Sequence, residues 1–205
     1  MTAKFWDKRA ERYDDLIQKH DAVYHRTIAS AKSLLSTSDI VLDLGCASGE
    51  YSLDIAPFVR RVHGIDTSAT MIALATEKTS DRSIGNVTFA ADDVFDRALD
   101  GRGFTAVLAF CVLHLVEEIR PVLGRVNELL PAGGLFISQT LCLSESSFLF
   151  KWFINVAQKV KIVPLVLSLT ALELEAAIAD AGFDIAESER WERKKAVHWI
   201  VARKR

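Results

Sequence analysis

The sequence predicts an α/β domain: a doubly wound, seven-stranded, mostly parallel sheet with an antiparallel last strand. Three observations carry that expectation. From residue 40 onward, short apolar runs of strand length alternate with helical patterns. The first run, Ile40-Val41-Leu42-Asp43-Leu44, is apolar without alternation, as a strand buried on both faces of a parallel sheet must be. The rhythm breaks only near the end, where two strands follow each other with no helix between them, so that pair reads as antiparallel.

In order, residues 6–36 read as two polar-faced helices, forming an amino-terminal cap over residues 1–38. Trp6, Tyr13, Leu16 and Ile17 lie on the first, and Ile28, Ala31, Leu34 and Leu35 on the second. A turn at residues 36–39 precedes the first strand at 40–44, and a helix follows over about 50–58. A second strand is expected at 62–65, a helix at 69–77, a third strand at 87–91 and a fourth at 105–110. Residues 122–130 read as a helix stopped by Pro131-Ala132-Gly133-Gly134, and 135–140 as the fifth strand. An apolar insertion occupies residues 142–170. A helix over 171–181 is closed by Gly182, and residues 183–187 and 197–202 supply the last two strands. Right-handed crossovers between parallel strands place a ligand in the crevice at their carboxyl ends, where the strand order reverses.

Composition agrees with one domain. The 205 residues are 50% apolar and 25% charged, which suits a globular chain with a sizeable core and excludes disordered or fibrous classes. A formal charge of -2 supplies no global basic field, so no nucleic-acid partner is expected. Residues 190–205 are the exception, with seven Lys or Arg against Glu192. That end reads either as a solvated face or as a contact for an anionic partner. Cys46, Cys111 and Cys142 are widely spaced and odd in number, which suggests neither disulfides nor zinc and favours a reducing, cytoplasmic setting. No secretory signal and no uncharged run long enough to span a bilayer is read.

The strongest local signal is Asp43-Leu44-Gly45-Cys46-Ala47-Ser48-Gly49-Glu50, at the first strand-to-helix turn. Glycines there allow left-handed turns and close approach of a ligand to backbone N–H groups. A dinucleotide fingerprint beginning at Gly45 would need glycine at 47 and 50, where the chain has Ala47 and Glu50, and a diphosphate would also meet Asp43 and Glu50. NAD is therefore disfavoured. Asp66 closes the second strand, 21 residues after Gly45. Its carboxylate can accept both hydroxyls of a ribose, or it can cap the next helix. Asp92, Asp93 and Val94 end the third strand: a carboxylate and the next N–H suit the edge of an adenine, and a solvated acidic loop is the alternative.

At these residues the chain resembles the class I S-adenosylmethionine-dependent methyltransferases, of the small-molecule type and Rossmann-like fold. Residues 41–52 resemble the family's first motif, Asp66 its ribose-binding acid, Asp93 with Val94 its adenine pair, and residues 104–115 the fourth-strand motif beside the transferred methyl. Phe5-Trp6-Asp7 with Arg12-Tyr13-Asp14 resembles the amino-terminal helix that lies over the cofactor. The resemblance implies S-adenosylmethionine as cofactor and S-adenosylhomocysteine as product. It implies a cofactor set of Asp43, Gly45, Cys46, Ala47, Gly49, Asp66, Thr67, Met71, Asp93, Val94 and Phe110, with Trp6 and Tyr13 as lid residues.

The reaction implied is in-line attack by a nucleophile on the sulfonium methyl, a task of positioning reacting atoms about 3 to 3.5 Å apart. Three departures stand out. Ala47 occupies the place of a common second glycine and is expected to narrow the loop slightly. Thr105 replaces a frequent acid, and Leu115 stands where many small-molecule members have histidine. His114 is the nearest histidine by motif position, either a base and substrate contact or a structural residue; His20 and His25 in the cap are weaker candidates. Phe148 and Trp152, in the insertion, are expected either to pack on the core, to close a pocket over an apolar or aromatic small-molecule acceptor, or to form a homodimer or membrane-surface contact. No metal site is expected. The rival readings are a nicotinamide-dependent oxidoreductase and a catalytically silent binding protein of the same fold.

Overall fold

Strand pairing sets the frame of the molecule. The computed structural model describes residues 2–10, 13, 22–145, 166–192 and 196–205. Its strands are β1 (Ile40–Leu44), β2 (Arg61–Ile65), β3 (Val87–Ala90), β4 (Ala106–Phe110), β5 (Leu135–Leu141), β6 (Phe183–Glu192) and β7 (Val197–Lys204), in the order β3-β2-β1-β4-β5-β7-β6. β1 to β5 are mutually parallel, and β7 runs antiparallel to both neighbours. Val41 of β1 sits beside Val62 on one side and Ala106 on the other. The winding reverses there, so the loops leaving β1 and β4 diverge and open a crevice.

The helices are α1 (Thr2–Asp7), α2 (Ala22–Leu34), α3 (Glu50–Ile55), α4 (Ala69–Asp81), α5 (Ile119–Leu129) and α6 (Ala171–Asp180). Strand alternation sorts the core onto two faces. Leu42, Val107 and Phe136 pack with Val122, Leu123 and Val126 of α5 and Leu174 and Ile178 of α6. Val41, Leu108 and Ile137 face the other way, toward Tyr24 and Ile28 of α2 and Leu53 of α3. Each such fully buried aliphatic side chain contributes about 1.5 to 3 kcal/mol.

Several boundaries differ from the sequence expectation for local reasons. α1 spans Thr2–Asp7, and Asp7 accepts a hydrogen bond from Ser68 Oγ at 2.6 Å; Tyr13 is again helical, and Leu16 and Ile17 lie outside the described residues. Past Ile55 the chain tightens into a 3-10 turn over Ala56–Phe58, where Pro57 lacks the donor an α-helix needs. α5 begins at Ile119, ahead of Pro121, since proline in a first turn gives up only an N–H that has no partner anyway. β6 continues to Glu192 through two bulges, after Ile185 and after Arg190.

The last three residues of the basic end are tied into the fold. Lys204 Nζ donates to the carbonyls of Asn127 (2.7 Å) and Leu130 (2.8 Å) at the end of α5, and Arg205 donates to the Ala179 carbonyl at the end of α6 (2.8 Å). Arg203 donates to the Gly133 carbonyl. Cations belong at helix carboxyl ends, where carbonyls lack intrahelical partners. Among the described residues, no helix is long and apolar enough to cross a membrane.

Candidate active site

The turn after β1 is built from left-handed residues. Gly45, Ala47 and Gly49 have φ of 70°, 48° and 79°, and the N–H groups of Gly45 and Cys46 donate to the Ile65 carbonyl on β2. A Cβ on Gly45 would stand 2.5 Å from the Val112 side chain, so the turn abuts the loop after β4 too closely for any other residue. Ala47 lines the cavity from within this turn. It keeps the glycine-like backbone at a cost of about 1 to 2 kcal/mol for an L-residue, and its methyl packs with Ala10 and Met71 beside Trp6, Tyr13 and Leu74.

Asp66 ties this turn to the end of β2. One carboxylate oxygen accepts from Ala47 N (3.1 Å) and the other from Ser68 N (2.8 Å). The cap of α4 is Ser68, whose hydroxyl accepts from Met71 N, so the helix-cap reading of Asp66 is not the one the structure takes. Each Asp66 oxygen keeps a second lone pair. Burial, aided by Asp7, raises the proton affinity of Asp66 and outweighs the two N–H bonds that lower it. After β3, Asp93 accepts from Phe95 N at 2.7 Å, which turns the chain beside buried Val94 and leaves the Phe95 ring half exposed.

The far wall comes from the loop after β4. Cys111 is itself left-handed (φ 55°), and a 3-10 turn over Leu113–Leu115 carries His114. His114 is 5% exposed; burial pulls its pKa down to about 4, leaving the ring neutral near pH 7.

These loops enclose a cavity of about 790 Å³ that spans β3 to β5. The structure gathers around it most of the residues expected there. Trp6, Tyr13, Gly45, Ala47 and Asp66 line it, as do Thr67, Met71, Asp93, Val94 and His114. Trp6 and Tyr13 meet edge to face at 5.7 Å at its mouth.

Four expected residues lie elsewhere. Asp43 is buried under the turn, accepting from Ser52 Oγ at 2.6 Å, with burial pushing its pKa up to about 6. The Cys46 thiol is also buried, against Gly64 of β2. Gly49 starts α3, packed against Phe89 and Ala75. Phe110 belongs to the opposite face because β4 alternates: it stacks on Trp199 and meets Tyr51. Phe148, Trp152 and His20 lie outside the described residues, and His25 meets Tyr24 edge to face on α2, away from the cavity lining.

Lining residues that sequence reasoning did not assign to the site include Val112, Val116, Leu141 and Leu143. Their signal was positional, since each follows or ends a strand at the carboxyl edge.

The residues present fit a nucleoside cofactor without a diphosphate. Asp66 retains acceptor sites for a diol, and Val94 offers an apolar wall. Asp66, Asp92, Asp93, Glu117 and Glu118 line the cavity with no Lys or Arg among the described lining residues, so a diphosphate would meet like charge. Among the described residues no cluster of three metal-ligating side chains occurs.

Comparison with known proteins adds the family. A methyltransferase-domain family model matches residues 35–204. An uncharacterized methyltransferase of Anoxybacillus flavithermus is 28% identical over 135 residues, 62% of this chain and 61% of its own length. The 23S rRNA (uracil(1939)-C(5))-methyltransferase RlmD of Xanthomonas axonopodis pv. citri is 36% identical over 92 residues, 43% of this chain and 21% of its own. The chain thus spans about three fifths of the first relative and a fifth of the second. The crystal structure of the N-methyltransferase NodS from Bradyrhizobium japonicum, in complex with S-adenosyl-L-homocysteine, superposes with a TM-score of 0.75 over 99% of this chain and 98% of that one, at 15% identity, a likeness of fold. With the family model spanning most of its length, the chain belongs to the methyltransferase-domain family, the class I S-adenosylmethionine-dependent methyltransferases.

Proposed function

We propose that the cavity binds S-adenosylmethionine and that the protein transfers its methyl group to a small, largely apolar acceptor. The observation that carries this reading is Asp66, held by the N–H groups of Ala47 and Ser68 with lone pairs left over, at the wall of a cavity that reaches across the β1/β4 reversal.

The cofactor, when bound, supplies an electrophilic methyl on a sulfonium. The chain's own part is to hold and exclude. Asp66 accepts the ribose hydroxyls, while Asp93 and the Val94 backbone receive the adenine edge. Trp6, on α1, and Tyr13, beyond it, cover the cleft, and Asp7 anchors α1 to α4 through Ser68. The loop after β4 supplies the acceptor end, with apolar Val112, Leu115 and Val116 to exclude water from the reacting atoms. The acidic lining and the commitment of Lys204 and Arg205 to helix ends support a small acceptor over a nucleic acid. RlmD is a methyltransferase of a uracil C5 and NodS an N-methyltransferase, so acceptors vary widely on one fold.

Calorimetric titration with S-adenosylmethionine, S-adenosylhomocysteine and NAD tests the proposal. The two sulfur compounds are expected to bind and NAD not to. Asp66→Ala, folded by circular dichroism, is expected to bind them at least about tenfold more weakly, since hydrogen bonds to a charged acceptor are worth about 1.5 to 3 kcal/mol each. Unchanged affinity in the folded variant removes the ribose role, and binding of NAD alone removes the methyltransferase reading.

A further inference from the structure

His114 is the one histidine among the described residues of the cavity lining, and it is oriented by what it lacks. His114 Nδ1 is sealed from solvent and has no hydrogen-bond partner, Nε2 is not sealed in the same way, and the residue lines the cavity. Its backbone is fixed: the carbonyl accepts from Leu167 N at 2.7 Å, and Leu115 N closes the turn onto Val112 O at 2.8 Å. The neutral ring has two tautomers. Placing the proton on Nδ1 buries a donor with nothing to receive it. Placing it on Nε2 leaves only an unused lone pair inside, and orphaned buried N–H groups are the rarer and costlier of the two. The balance of these costs therefore puts the proton on Nε2.

The surroundings say what such a donor can receive. Leu115, Val116, Leu141 and Leu143 make an apolar wall around it. Glu117 and Glu118, both exposed, stand on the same lining. A carboxylate ligand would meet their charge, and an ammonium group placed inside would face an N–H and lose its water. An uncharged oxygen meets neither penalty.

We propose that His114 is the specificity-determining donor of the acceptor site: its Nε2–H selects an uncharged, mostly apolar acceptor that presents a lone-pair oxygen, such as a ketone, amide or phenol. The proposal rests on the reading of this cavity as the methyl-transfer site. In that role His114 recognises the acceptor and does not remove its proton, because a ring already protonated on the exposed nitrogen has no lone pair to offer there.

The test uses ¹⁵N-histidine-labelled protein with and without S-adenosylhomocysteine, His114 being assigned by His114→Gln. Long-range ¹H–¹⁵N spectra at pH 7 are expected to show a protonated Nε2 and an unprotonated Nδ1; the opposite tautomer overturns the proposal. Acetophenone, benzoate and benzylamine then serve as probes of one ring with three head groups. Acetophenone is expected to shift the His114 signals and to bind at least about fivefold tighter than the charged probes. His114→Leu is expected to lose roughly that factor for acetophenone alone, the worth of one neutral hydrogen bond. Preference for benzoate or benzylamine, no binding of acetophenone, or binding indifferent to His114→Leu overturns it. Failure of S-adenosylhomocysteine to bind strikes the methyltransferase reading separately, since tautomer and probes are also read on the cofactor-free protein.

Discussion

Acid is expected to weaken the fold through His63, and the size of the effect follows from its surroundings. The residue lies on β2, 5% exposed, with its ring stacked on Phe104 and Nδ1 2.8 Å from Thr88 Oγ1. Nε2 is sealed and unpartnered. Burial first, then the positive charges of Arg102 and Arg61, pull its pKa down from 6.5 to about 4. The unfolded chain takes up this proton near pH 6.5 and the folded one only near 4, so the unfolded state binds more protons between those values. The stabilising contribution is therefore full at neutral pH, falls as the pH drops through 6.5 and is gone below about 4. At about 1.4 kcal/mol per pH unit, the gap amounts to about 3.4 kcal/mol in the limit and about 2 kcal/mol by pH 5. Urea unfolding of the wild type and of His63→Leu at pH 7 and pH 5 isolates it. His114, also held near 4, and Asp43, whose raised pKa acts in the opposite sense, are common to both proteins and cancel. The wild type is expected to lose about 2 kcal/mol more than the variant between the two pH values. Equal losses would show that His63 does not carry the proton linkage assigned to it.

Two substitutions probe the turn after β1. Ala47→Gly relieves about 1 to 2 kcal/mol of left-handed strain but gives up about 0.8 kcal/mol of methyl burial and about 0.5 to 1 kcal/mol of chain entropy, so its stability is expected to match the wild type within about 1 kcal/mol. A thermal melt displaced further than that would refute the balance. Gly64→Ala places a Cβ 2.6 Å from Phe89 and 2.9 Å from Cys46 Sγ beneath the same turn. It is expected to destabilise by about 1 to 3 kcal/mol and to weaken S-adenosylhomocysteine binding by displacing Cys46; wild-type affinity in the folded variant would show that the turn does not rest on that contact.

What the sequence made legible was whatever a local pattern encodes. The β1 run with its glycine turn, the acid ending β2 and the antiparallel close of the sheet all appear where periodicity and turn chemistry place them. The misplacements share a cause in tertiary geometry. Phe110 and Cys111 adjoin in sequence, and only the parity of β4 puts one against Trp199 and the other at the cavity. Asp66 and Ser68 both have capping chemistry, and the Ala47 N–H, far away in sequence, decides that Asp66 serves the turn. The tautomer of His114 depends on a missing neighbour, and sequence carries no sign of that.

The placement of β7 inside the sheet has a consequence for how the molecule is made. β6 pairs with β7 and with no other strand, and β7 alone joins it to β5. As the chain emerges during synthesis, β1 to β5 can pair in turn, whereas β6 must wait as an unattached strand until residues 197–204 arrive and insert between it and β5. Lys204 and Arg205 then close onto the ends of α5 and α6, so one late event completes the sheet and fastens two helices. Such distant pairing is slow to form. Until residues 197–204 insert, β5 is an open edge to which a neighbouring nascent chain can pair.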